Sequence, residues 1–141
     1  MVDDGGADNI AKVNATFYHN TSTAQSANDN NVHYTNSSCE NTSTIGDTKT
    51  FACGFNVWYY ANPGNWSCNI TVMDQGNNTN SSFKNSSISE LYGITSSSQL
   101  DFGLVSAGQI SAEDANVSLT NAGNRAINLS VKGYGVIDGD N

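Results

Sequence analysis

The residues best suited to acid–base, nucleophilic or zinc chemistry are two histidines, His19 and His33, and three cysteines, Cys39, Cys53 and Cys68. Their spacing matches no zinc motif. No serine or cysteine stands in a nucleophile context beside either histidine, so both read as surface residues. Asp3, Asp4, Asp8, Asp138 and Asp140 gather at the two ends of the chain. Calcium needs six to eight oxygens converging on one point, and this spacing fits no EF-hand loop. No motif implies a catalytic residue, a metal or a cofactor.

Asparagine carries the densest chemical signal. N-x-[ST] occurs at Asn14, Asn20, Asn36, Asn41, Asn65, Asn69, Asn77, Asn80, Asn85, Asn116 and Asn128. A chain rich in Asn, Ser and Thr produces some of these sequons by chance. Their density still points to a secreted, N-glycosylated surface protein. Asn69 and Asn128 fall at outward positions of predicted strands, where a glycan leaves the core alone.

The totals narrow the function classes. Net charge is −8, yet only 13% of residues are charged. Five Lys and Arg, scattered, cannot neutralise a nucleic-acid backbone. No apolar run reaches transmembrane length, and no signal-peptide core follows Met1. Asn, Ser and Thr compete with helical hydrogen bonds, and no stretch repeats apolar residues at i, i+3, i+4 and i+7. The expectation is an all-β protein.

Phe51–Asp74 organises the rest. Phe51, Cys53, Phe55, Val57 and Tyr59 alternate with Ala52, Gly54, Asn56 and Trp58. After Asn62-Pro63-Gly64-Asn65, Trp66, Cys68, Ile70 and Val72 alternate with Ser67, Asn69 and Thr71. Pro63, the only proline, pre-sets one corner of that turn, and Gly64 supplies a left-handed φ. Two successive period-2 runs predict two strands, Phe51–Tyr60 and Trp66–Asp74. Phe55 and Trp66 take the inward parity. Trp58 and Tyr60 take the other, where exposed rings could stack on sugars.

Upstream, Asn9–His19 predicts a first strand with Val13, Ala15 and Phe17 on one face. Val32-His33-Tyr34 predicts a short edge strand. Downstream, Phe83–Ile94 alternates weakly around Ile88 and Leu91, and could close a domain spanning residues 1–94. Thr95–Ser98 reads as a linker. Leu100–Leu104, Ala115–Leu119 and Ala126–Tyr134 then read as strands, parted by turns at Ala107-Gly108 and Ala122-Gly123-Asn124, within a second unit at 95–141. Three strands cannot close a sandwich. That unit is incomplete, or completed by the first domain or by a neighbouring subunit.

Tyr60, Pro63, Gly64, Trp66, Thr71, Val72 and Asp74 resemble the Y-x-x-P-G-x-aromatic turn and T-V-x-D strand of PKD-type and immunoglobulin-like domains. DFGLVSAGQ and the later VSLTNAGNRAINLSVKGYG resemble a second family of β-sandwich modules. Both occur in extracellular proteins of prokaryotic, often archaeal, cell surfaces. The resemblance implies an immunoglobulin-like antiparallel β-sandwich followed by a second sandwich segment.

It also bears on the disulfide. In the resembled families the Pro63-Gly64 turn is an arch between two sheets, which lets Cys53 and Cys68 meet across the core. A hairpin instead parts those sulfurs by about five residues, roughly 17 Å. That favours Cys39 with Cys53, about a turn at Ile45-Gly46-Asp47. The resemblance tips the expectation to Cys53–Cys68.

The functional expectation is a non-enzymatic, glycosylated structural protein of a prokaryotic cell surface. It would be a filament subunit that pairs with copies of itself by strand donation. Asn9–Phe17 is the favoured donor and Ala126–Ile137 the other candidate. The alternative is a carbohydrate-binding or adhesin module using Trp58 or Tyr60.

Overall fold

The computed structural model describes residues 7–97, 99–110 and 115–132. Among them the chain is all-β, with antiparallel strand pairs and a single 3-10 turn, Ala7–Asn9. The strands are β1 (Ile10–His19), β2 (His33–Asn36), β3 (Glu40–Ile45), β4 (Thr48–Ala52), β5 (Gly64–Asp74), β6 (Thr79–Ile88), β7 (Ile94–Ser96) and β8 (Leu119–Asn121). Four form one sheet in the order β2-β1-β5-β6, while β3 pairs with β4 and β7 with β8.

Register sorts the main sheet into two faces. Val13, Ala15, Phe17 and His19 stand opposite Val72, Ile70, Cys68 and Trp66, and Tyr34 of β2 stands opposite Phe17. Because side chains alternate along each strand, these residues share one face. The core gathers at its upper end. Tyr34, Ala61 and Trp66 are buried together, with Phe17, Phe55 and Ile88 packed against them. The Trp66 ring stacks on Phe17, centroids 4.7 Å apart, and its Nε1–H donates to the Asn62 carbonyl at 2.8 Å. The indole is thus buried with its one polar atom satisfied.

β1 and β5 form where the alternation predicts them, and β2 is an edge strand as expected. The stretch Phe51–Tyr60 corrects the expectation. Only its first two residues belong to a strand, since β4 ends at Ala52. Residues 53–61 instead lie over the sheet without a ladder. Their backbone is held from the side: Asn36 Nδ2 donates to the Gly54 carbonyl, and the Trp58 N–H donates to Tyr34 Oη. The Ala61 N–H closes a turn onto Trp58 O. The alternation holds through Phe55 and records contact with a sheet face rather than membership in a sheet; beyond it Val57 and Tyr59 are exposed against the predicted parity, and Ala61 is buried. Gly64, at φ 131°, then starts β5.

β3 and β4 make a hairpin about Gly46-Asp47, tied to β1 by the Cys39 N–H donating to Val13 O and to the 3-10 turn by a Lys49–Asp8 ion pair at 3.2 Å. One step past the Glu40–Ala52 pair, Cys39 and Cys53 are disulfide-bonded with Cα atoms 4.5 Å apart. The expected Cys53–Cys68 bond is absent, and Cys68 is a free thiol. The chain does arch from one sheet into the other after Cys53. Hairpin register nevertheless brings Cys39 to Cys53, leaving Cys68 in the middle of β5.

After β6 the chain departs furthest from expectation. Thr95 and Ser96, read as linker, belong to β7, and Ser98 lies outside the described residues. Leu100–Leu104 is not a strand. Of Ala115–Leu119 only Leu119 enters one, β8, and residues 126–132 pair with nothing among the described residues. Alternation specifies a face but supplies no neighbour, and a strand exists only with a hydrogen-bonded neighbour. The β7–β8 pair is clasped by the Asn124 N–H to Leu91 O, by Asn124 Nδ2 to Ser89 O and by an Arg125–Glu90 ion pair.

Candidate binding surfaces

Two surfaces combine exposure with built geometry. The first is aromatic. The turn that ends at Ala61 projects three rings in succession. Trp58 stacks on Tyr60 at 5.6 Å with planes 15° apart, and Tyr59 meets Tyr60 edge-on at 5.2 Å. Trp58 is 51% exposed and Tyr59 53% exposed. The outward parity predicted for Trp58 matches its position, but Tyr60, given the same parity, is half-buried and Tyr59, given the inward one, is exposed, because the turn closing at Ala61 breaks the alternation.

This cluster is anchored to the loop before β2. Asn30 Nδ2 donates to Tyr60 Oη, Tyr34 Oη donates to Asn30 O at 2.5 Å, and that same Tyr34 oxygen accepts the Trp58 N–H. Burial pushes the Tyr34 hydroxyl above its ordinary pKa, so it stays a donor through neutral pH. Beside the rings opens a polar cavity of about 400 Å³, lined among others by Asn28, Asn30, His33, Tyr34 and Asn56.

The histidines correct the sequence reading, because both are buried. His19 continues the inward parity of β1, lies edge-on to Trp66, and pairs its Nδ1 with Thr21 Oγ1. His33 is 1% exposed beneath Tyr18, with neither ring nitrogen hydrogen-bonded. Nothing in the local spacing signalled this. It follows from the 20–31 loop, whose Asp29 exchanges two backbone hydrogen bonds with His33.

The second surface is apolar. A groove of about 490 Å³ runs along the covered face beside β6, lined by Phe17, Cys53, Phe55, Val57, Cys68 and Lys84 among others. Cys53 and Cys68 both reach it, but Cys53 is already bonded to Cys39. Burial raises the Cys68 thiol pKa, which keeps it protonated and poorly nucleophilic. β6 is ten residues long and closes the sheet on that side, so no described strand pairs with its outer edge.

Of the sequon asparagines, Asn20, Asn41, Asn65, Asn77, Asn80, Asn85, Asn116 and Asn128 are exposed; Asn14, Asn36 and Asn69 are half-buried. Asn36 Nδ2, the atom a glycan would occupy, already donates to Gly54 O. Among the described residues no three His, Cys, Asp or Glu side chains converge as a metal site. Asp8 pairs with Lys49, whereas Asp3, Asp4, Asp138 and Asp140 lie outside the described residues. No described helix is long and apolar enough to cross a membrane.

No family model, no curated protein and no solved structure matches the chain.

Proposed function

We propose that this chain is a non-enzymatic, extracellular structural subunit of a prokaryotic cell surface, N-glycosylated, that assembles with copies of itself by strand donation. The observation that carries the reading is the outer edge of β6, which no described strand pairs, beside an apolar groove. An edge of ten residues left unpaired among the described residues is a template for another chain's backbone.

The same chain holds a segment suited to that edge. Residues 126–132 carry Ile127, Leu129 and Val131 at period 2. Leu129 is 56% and Val131 83% exposed, and no described strand pairs with them. Apolar alternation without a partner is what a donated strand leaves behind in its own subunit. The favoured donor therefore changes. Asn9–Phe17 falls almost wholly in β1, hydrogen-bonded on both sides and supplying Val13, Ala15 and Phe17 to the covered face. Withdrawing it would dismantle the sheet.

Asn80 stands opposite Val72 and Asn85 opposite Ser67, so their side chains leave the sheet on opposite faces, across its plane rather than along it, and Asn85 also lines the groove. Head-to-tail donation does not close on itself and so builds a fibre.

Cysteine cross-linking tests the reading. Single cysteines scanned through β6 in one tagged chain, and at residues 126–132 in another, are oxidised together in a Cys68→Ala background. The reading expects cross-links between differently tagged chains. Bonds confined within one chain, or none at any position, contradict it.

A further inference from the structure

We infer that the aromatic cluster at Trp58–Tyr60 and the adjoining polar cavity form one binding site for a neutral saccharide. This inference is independent of how the chain assembles.

The two halves share residues and so form one surface. Asn30 lines the cavity and bonds Tyr60; Tyr34 lines it and accepts the Trp58 N–H. Sugars present two chemistries at once: apolar C–H faces and a rim of hydroxyls that both donate and accept. Trp58 and Tyr59, each about half exposed, offer flat apolar area with few rotatable bonds. The cavity offers amides, each with donors and an acceptor. The side chains of Asn28 and Asn56 line it and make no hydrogen bond within the described residues.

His33 borders the cavity at 1% exposure. Its ring lies under Tyr18, on the sheet face opposite Tyr34, with both nitrogens closed off from water, so it reports on the cavity rather than bonding a ligand. The cavity, about 400 Å³, is within the usual size range of small-molecule sites. Its charge selects the ligand class. No Lys or Arg lines it and the chain carries −8, so an anionic sugar meets no counter-charge.

The test titrates the full chain with neutral hexose and N-acetylhexosamine hexasaccharides, and with a uronic-acid oligomer as the anionic control. Binding is read by calorimetry and by the imidazole nitrogen signals of His33. His19, whose Nδ1 is already paired with Thr21, serves as the internal reference. At least one neutral hexasaccharide should bind with a micromolar to millimolar Kd and shift the His33 signals but not those of His19. Trp58→Ala and Asn30→Ala should each weaken it by about tenfold or more, with the fluorescence of buried Trp66 retained as proof of fold. Three results would overturn the inference: no neutral saccharide binding, preference for the anionic oligomer, or binding that leaves His33 and both variants unaffected.

Discussion

Trp58 and Trp66, eight residues apart, occupy opposite environments: Trp66 is 1% exposed against Phe17, and Trp58 is 51% exposed against Tyr60. Replacing Trp66 with Ala removes the largest buried side chain and should cost about 3–5 kcal/mol. Trp58→Ala should cost less than about 1 kcal/mol, as surface changes do. Urea unfolding followed by circular dichroism separates the two. Equal losses would mean that residues 53–61 do not cover the sheet as described.

The Cys39–Cys53 bond closes a short loop around the β3–β4 hairpin. Replacing both cysteines with serine should cost about 2–4 kcal/mol, chiefly by freeing the unfolded chain. A non-reducing digest should yield Cys39 linked to Cys53, and thiol titration of the native protein should find one slow-reacting cysteine, Cys68. A Cys53–Cys68 peptide in that digest would refute the hairpin register.

Gly123 lies against the Leu91 carbonyl so closely that an added Cβ would fall inside van der Waals contact with backbone. Gly123→Ala should therefore force Leu91 and Asn124 apart and open the β7–β8 pair. Amide exchange at Ala122 and Asn124, which donate to Gly93 and Leu91, should accelerate while β5 stays protected. Unchanged exchange at both would show that the clasp does not hold this pair.

Two carboxylates, half-buried Asp74 and exposed Glu90, are held below the usual range. Asp74 is stabilised by hydrogen bonds from the Asn78 side chain and backbone, and Glu90 by the Arg125 guanidinium and then the Tyr92 hydroxyl. A depressed folded-state pKa favours folding above the unfolded value, about 4 for such groups. That contribution is lost as pH falls below about 4, through the folded pKa. Asp74→Asn should flatten the stability profile below about pH 4. A variant whose acid limb matches that of the parent would contradict the capping role of Asp74.

The faces of β1 and β5 were legible because each strand lies across a boundary between core and exposed surface, which writes period 2 into Val13, Ala15, Phe17 and Trp66, Cys68, although Ile70 on the same face is exposed. The inward parity of Phe55 and the outward parity of Trp58 were legible for the same reason. What they pack against was not. Residues 53–55 continue the alternation of β4 without pairing, since resting on a sheet imposes the same pattern as belonging to one. The disulfide depended on which strand pairs with β4, a long-range choice that local pattern leaves open. The orphaned ring of His33 depended on the loop folded over it. Downstream of β6, apolar residues such as Leu104, Ile110 and Val131 alternate or cluster as strands would, yet they stay exposed.

Those uncovered residues and the β6 edge that no described strand pairs lead to the same measurement. Full-length protein and a deletion of residues 126–141 are compared by light scattering and electron microscopy across a concentration series, with a synthetic 126–141 peptide added back to the deletion. The account predicts concentration-dependent fibres from the full chain, a folded and assembly-incompetent monomer from the deletion, and stoichiometric binding of the peptide to that monomer. A full-length protein that stays monomeric at high concentration, or a deletion that still forms fibres, would contradict it.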